Sequence, residues 1–592
     1  MEKRLILFLA LSFLVIFGPQ YFMSKKSQSQ PVPATVAETP TAAAQTNPGD
    51  TAAAAPVPAP VAANESAAPA SAAESTPLET LLLEDTQAAA QKIVIDGDLY
   101  TAVLDNRGGV LTSWELKGYQ TTKKGKGDPG RVFDMIPSVS MGERLYPGAL
   151  VINDDRSDII ANGEYYQVSV EDAEGQVQGL LPEKLVPPVV VKLMLRRGDL
   201  QIEKTWSFEK DNYTANLGII GTKAGRSLDG RFFLGEDIGP TAEHFTSNAA
   251  SLASVYSSGG KVKRESPPKD PQELKRIDGD VRWAGLDMQY FSMIAIPKQP
   301  LGYFNIQTVK LQETGIDGEV VEHDRLKVTL PLDSSGGANY QLYLGPKRQE
   351  NLEQVGATDL SGVIDYGMFS FLVYPFLFVL RWIYQFAHNY GLAIILLTFT
   401  LSLILFPLRF KSMLSMKKMS KVQPKVKAIQ DKYRQYKASD PRKREMNSEV
   451  MALYKEHGVN PMGGCLPMLL QMPILIAFYQ LLAHTIDLRQ APFIWWVHDL
   501  SAKDPYYILP IAMGVTMFLS QKMAPMAPST DPMQAKMMMI MPLVFLFIFL
   551  NTPSGLNLYF LCSNVFAIVF QKISERWIPK EAPVPAKGRA KG

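Results

Sequence analysis

Cysteine is almost missing: the 592 residues contain two, Cys465 and Cys562, far apart and both in apolar runs. None falls between residues 92 and 350, so a disulfide framework is excluded there. The six histidines, His244, His323, His388, His457, His484 and His498, have no metal-ligand spacing. No metal site and no cofactor are implied. Charge is missing where a solute carrier needs it, because five long apolar segments near the C-terminus have no Asp, Glu, Lys or Arg in their cores. Coupling ions and charged solutes require such ligands inside the membrane. No catalytic constellation stands out either. Glu236-Asp237 and Asp211 read as turn and edge carboxylates rather than as an acid pair for sugar chemistry. The net charge of +2 averages an acidic-leaning middle with a basic C-terminal part.

What the chain has is apolar length. Gly391–Leu408 is uncharged over 18 residues, a helix of about 27 Å that crosses a bilayer. Between Arg409 and Gly458 fourteen Lys/Arg stand against five Asp/Glu. Such a loop stays in the cytoplasm and orients the later spans Gly463–Ile486, Pro505–Gln521, Met537–Leu550 and Leu556–Gln571. Tyr506–Gln521 covers roughly 24 Å and Met537–Leu550 roughly 21 Å. Spans this short thin the surrounding membrane.

The reading is therefore a multi-domain membrane protein. Residues 1–26 form a transmembrane anchor with its N-terminus inside, since no small-residue cleavage site follows Leu5–Phe22. Residues 27–91 form a disordered Pro/Ala-rich linker. Residues 92–350 alternate with period two in runs such as KIVIDGDLYTAVLDN. They form a large antiparallel β-domain on the periplasmic side. Residues 366–390 form an amphipathic helix on the membrane surface, with Trp382 and Tyr384 at headgroup level and Arg381 reaching water; a spanning helix would put the basic loop on the wrong side. Residues 391–576 hold the five-span core, with a basic hairpin at 409–460, and 577–592 form a basic tail. Both termini then lie in the cytoplasm of an inner membrane.

Inside the spans are uncharged polar groups: Thr398, Thr400, Ser402, Gln471, Gln480, Thr516, Ser520, Asn557, Ser563 and Asn564. Singly, each bonds its own helix or a neighbour. Together they imply a damp concavity. The hairpin reads as two helices, the second opened by Asp440-Pro441, with Met413, Met416 and Met419 lining one side of the first. Its cations Lys417, Lys418, Lys421, Lys425, Arg442, Lys443 and Arg444 suit anionic lipid headgroups or the phosphates of ribosomal RNA.

The runs VNPMGGCLPMLLQMPILIAFYQLL (Val459–Leu482), LRQAPFIWWVHDLSAKDPYYILPIAMGVTMF (Leu488–Phe518) and TPSGLNLYFLCSN (Thr552–Asn564) resemble the YidC/Oxa/Alb family of membrane protein insertases. The resemblance implies a β-supersandwich for the periplasmic domain and no enzymatic activity. It implies insertion and folding of nascent inner-membrane proteins, alone or beside the Sec translocon, with the ribosome and targeting machinery as further partners. In the family a hydrophilic groove, open to cytoplasm and lipid, takes the client's polar segment. The groove would be lined by Thr398, Ser402, Arg409, Gln471, Asn557 and Asn564, and the client's apolar segment would slide past Met472, Pro473, Pro553 and Ser554. The family usually has an arginine where this chain has Ser402. Arg409, two helical turns further on, is expected to compensate in part.

Overall fold

The computed structural model describes residues 88–121, 130–136, 145–153, 155–172, 175–176, 182–239, 252–271, 273–314, 320–436, 440–458, 466–523 and 532–577. The expected anchor, the linker up to residue 87, Cys465 and the tail beyond Trp577 lie outside these residues.

Two antiparallel sheets build the first unit, one of four strands over Lys92–Asp134 and one of fifteen over Leu150–Pro346. Its longest ladder joins Leu301–Thr314 to Val320–Pro331. Alternation explains the strands directly. Leu200–Phe208 buries every second residue, Leu200, Ile202, Lys204, Trp206 and Phe208, because successive side chains leave a strand on opposite faces. The carboxylate of Asp237 pairs with Arg325 at 3.3 Å, both side chains 2% exposed, and so serves the fold.

Lys204 breaks the apolar row. Its Nζ donates to the carbonyls of Gly108 at 2.6 Å and Gly148 at 2.7 Å and lies 5.2 Å from the centre of the Tyr166 ring. Burial holds its ammonium down at about 7, because desolvation disfavours the charged form. Between pH 7 and 9 the unfolded chain therefore carries a proton here that the folded one has released. Stability of the β-domain should rise with pH in this window, by about 1.4 kcal/mol per unit from this group. Tryptophan-detected unfolding of the Lys204→Met chain should lose that slope.

Nine helices matter for the rest among the described residues: α1 (Asp155–Gly163) and α2 (Gln349–Gln354) belong to the β-unit, followed by α3 (Ser370–Ala387), α4 (Tyr390–Lys432), α5 (Arg442–Glu456), α6 (Leu466–His484), α7 (Ile508–Met523), α8 (Pro532–Phe549) and α9 (Ser554–Trp577). The amide Oδ1 of Asn389 accepts from Leu392 N at 3.0 Å and caps α4. This helix runs unbroken for 43 residues through Pro407 and Pro424, so span and first hairpin arm are one rod. α5 folds back on it, and Met419, Val422 and Val426 pack against Val450 and Tyr454. Of the expected methionine stripe only Met419 joins that core, while Met413 and Met416 are half-buried. α7, at 16 residues, keeps the short length of about 24 Å. α8 is longer than expected at 18 residues, because Pro532 suits a first helical turn and Met, Gln, Ala and Lys continue it.

α3 lies within Gly367–Ala387, a stretch long and apolar enough to cross a membrane; it buries Val373, Leu377, Leu380 and Ile383 and exposes Phe371, Phe378, Trp382 and Phe386. Tyr384 instead stacks on Tyr390 at 3.9 Å. Arg381 does not reach out alone either. It pairs with Asp487 at 2.8 Å and Glu350 at 2.6 Å, and Arg348 reaches Asp487 at 3.2 Å. Arg489 donates to the Gln120 carbonyl at 2.8 Å and lies about 5.2 Å over Phe133 and Phe291. The segment between α6 and α7 thus clasps the β-unit, and one apolar core runs through both.

Candidate functional site

The polar side chains of the helical core fall into two groups. The first donates to nearby backbone carbonyls. Thr398, 1% exposed, donates to Ile394 O at 2.6 Å. Thr400 donates to Leu396 O at 2.9 Å, and Thr516 to Ala512 O at 2.9 Å. These hydroxyls bond back to their own helices, an ordinary outcome in an apolar setting. Ser554 is also closed in, since its N and Oγ both donate to Ala502 O at 2.7 and 2.8 Å. The fully buried Asn557 gives its amide to Phe549 O at 3.2 Å and Thr552 O at 3.4 Å. It fastens the α8–α9 turn. Pro553, in that turn, is half-buried.

The second group is a polar seam between α4, α6 and α9. Ser402 is buried. Two turns on, Arg409 turns inward and its Nη2 donates to Gln471 Oε1 at 3.0 Å. Gln471 Nε2 donates to the Tyr559 hydroxyl at 3.2 Å, and the Tyr559 ring is stacked on Phe478 at 4.1 Å. Nη1 of Arg409 is buried and bonds to nothing among the described residues, and the same holds for Asn564 Nδ2, Gln480 Oε1 and Asn557 Oδ1. Among the described residues no carboxylate forms an ion pair with Arg409. Buried polar atoms without partners are costly unless water or another molecule supplies them.

Tyr559 was not among the residues the sequence singled out. Its signal is a phenol in an apolar span, which needs a partner for its hydroxyl. Met472 and Pro473, next to Gln471 on α6, are half-buried. α6 packs on α3 and touches α4 and α9, whereas α8 packs on α7. α6 and α8 do not pack closely on each other among the described residues. Beyond this seam the hairpin exposes Lys418, Lys421, Lys425, Arg442 and Arg444, with Lys417 and Lys443 half-buried. Lys425 Nζ lies 2.9 Å from His457 Nε2, and Arg442 lies over the Tyr436 ring at 4.2 Å.

Two family models match consecutive parts of the chain: the YidC periplasmic domain over residues 92–379 and the 60Kd inner membrane protein over 382–581. A membrane protein insertase YidC from Geotalea daltonii is 34% identical, covering 98% of this chain and 100% of its own. That of Syntrophus aciditrophicus is 34% identical over 96% of this chain and 98% of its own. A solved structure, an active YidC insertase with its first transmembrane domain resolved, covers 82% of this chain and 93% of its own, at 17% identity and a TM-score of 0.33.

Proposed function

The chain belongs to the YidC family of membrane protein insertases, and we propose that it inserts its clients by taking their polar segment into the seam around Arg409. It is an inner-membrane insertase with a periplasmic β-domain, and its clients are nascent membrane proteins. In our reading the cationic hairpin lies in the cytoplasm with both termini, and α3 rests on the periplasmic surface with its aromatic face toward lipid. The seam is wet, and it opens to lipid where α6 and α8 stand apart. A client's polar segment sheds its hydration there in stages while its apolar segment passes Met472 and Pro473 into the bilayer. Thr398, Asn557 and Ser554 then support the framework, and Ser402, Gln471 and Asn564 line the seam with Arg409. The hairpin cations meet lipid headgroups, the ribosome or targeting machinery, and the Sec translocon is a further partner on some routes.

One observation carries this reading. Arg409 is a cation facing the interior, held by a neutral amide and paired with no acid among the described residues. A guanidinium so placed favours a client carboxylate, because charge-assisted hydrogen bonds strengthen away from water. The full chain in liposomes, offered single-span clients with acidic or neutral polar tails, tests this. Arg409→Ala should lower insertion of the acidic-tailed client roughly tenfold, the equivalent of about 1.4 kcal/mol, and spare the neutral one. Equal insertion of the acidic client by both chains would rule the reading out.

A further inference from the structure

We propose that Gln471 is a positioning residue: it holds the Arg409 guanidinium inward without neutralising it, so that the site takes one Asp or Glu side chain of a client. The proposal rests on the reading of Arg409 given above and adds why the residue beside it is an amide. A Gln side chain has one accepting end and one donating end. Tyr559 takes the donating end at 3.2 Å. Its ring cannot swing away easily, because it is 2% exposed and stacked on Phe478 at an interplanar angle of 18°. Arg409 can only donate, so the accepting Oε1 faces α4, where it meets Arg409 Nη2 at 3.0 Å. The contact orients the fork and leaves its charge whole, with Nη1 still unfilled among the described residues. A long cationic side chain at the border of an apolar stretch otherwise turns toward water, so without Gln471 the charge would leave the seam.

A glutamate at position 471 has the same length and shape and can accept from both Arg409 and the Tyr559 hydroxyl. It would make a better-bonded seam and cancel the charge the client needs. Stability and client preference should then move in opposite directions, which a purely structural role for Gln471 does not produce.

The test uses the full chain in liposomes and reads the ratio of acidic-tailed to neutral-tailed insertion, with the melting midpoint of the same preparations. Gln471→Glu should lower the ratio about tenfold, to the level of Arg409→Ala, while the midpoint is unchanged or higher. Gln471→Leu, which removes the hold without adding charge, should lower the ratio as well, and the melting midpoint of each variant reports that it has folded. If Arg409→Ala lowers the ratio but Gln471→Glu and Gln471→Leu both keep it at the wild-type value, the positioning role is overturned and the reading of Arg409 survives. If Arg409→Ala itself leaves the ratio unchanged, both are overturned.

Discussion

Replacing Asp487 by alanine should destabilise the junction between the β-domain and the helical core by about 3 kcal/mol. Asp487 is 5% exposed and receives Arg381 at 2.8 Å and Arg348 at 3.2 Å. Taking one partner from a buried ion pair costs roughly 3–5 kcal/mol, since the remaining charge is left unmatched. The low end applies because the two arginines, at 25% and 44% exposure, keep some access to water. Three elements come loose together: α3, the segment after α6, and the start of α2, where Arg348 is the N-cap residue. Trypsin should cut at Arg348 much faster in the Asp487→Ala chain, with Asp487→Asn in between. Unchanged cleavage would mean that the shared apolar core and the seat of Arg489 carry the junction without Asp487.

The second large effect lies at the start of α4. A methyl group on Gly391 would sit 2.0 Å from Cδ2 and 2.8 Å from Cβ of Phe493. Phe493 has no easy way to yield, because its carbonyl accepts from Asn389 Nδ2 at 3.1 Å and its N donates to Val497 O at 2.9 Å. Overpacking of this kind costs about 2–3 kcal/mol. Gly391→Ala should therefore lower the melting midpoint of the helical core by several degrees. Gly118→Ala, where the added methyl meets nothing within 4 Å, should not. Equal midpoints for the two would show that the α6–α7 segment does not brace α4.

Both effects arise from contacts between residues far apart in the chain, and this marks the limit of reading the sequence. Periodicity and charge are local, so the alternating strands, the apolar helices and the basic hairpin were legible. Asp487 and Arg381 carry no such pattern: an acid just past one helix and an arginine inside another meet only after folding. Nor does the pattern show that α4 continues unbroken through Pro407, since tertiary packing decides whether a helix carries a proline or ends at it. The candidate site divided along the same line. Gln471 and Arg409 stood out as polar groups in or beside apolar spans, and they meet. Asn557 stood out for the same reason and Ser554 through the family resemblance, but they tie down a turn. Polarity in a span shows that a partner is needed, not which partner it is.

The path of insertion is decided by where a client lies against the helical core. A photoreactive residue placed at Met472, beside the seam, or at Phe399, which is 41% exposed on α4, can be tested against a stalled single-span client. The predicted result is a client adduct from position 472 and none from position 399, with the 472 adduct weakened in the Arg409→Ala chain for an acidic-tailed client. Adducts from 399 alone, or equal yields from both positions, would contradict a polar seam between α4, α6 and α9 as the path of insertion.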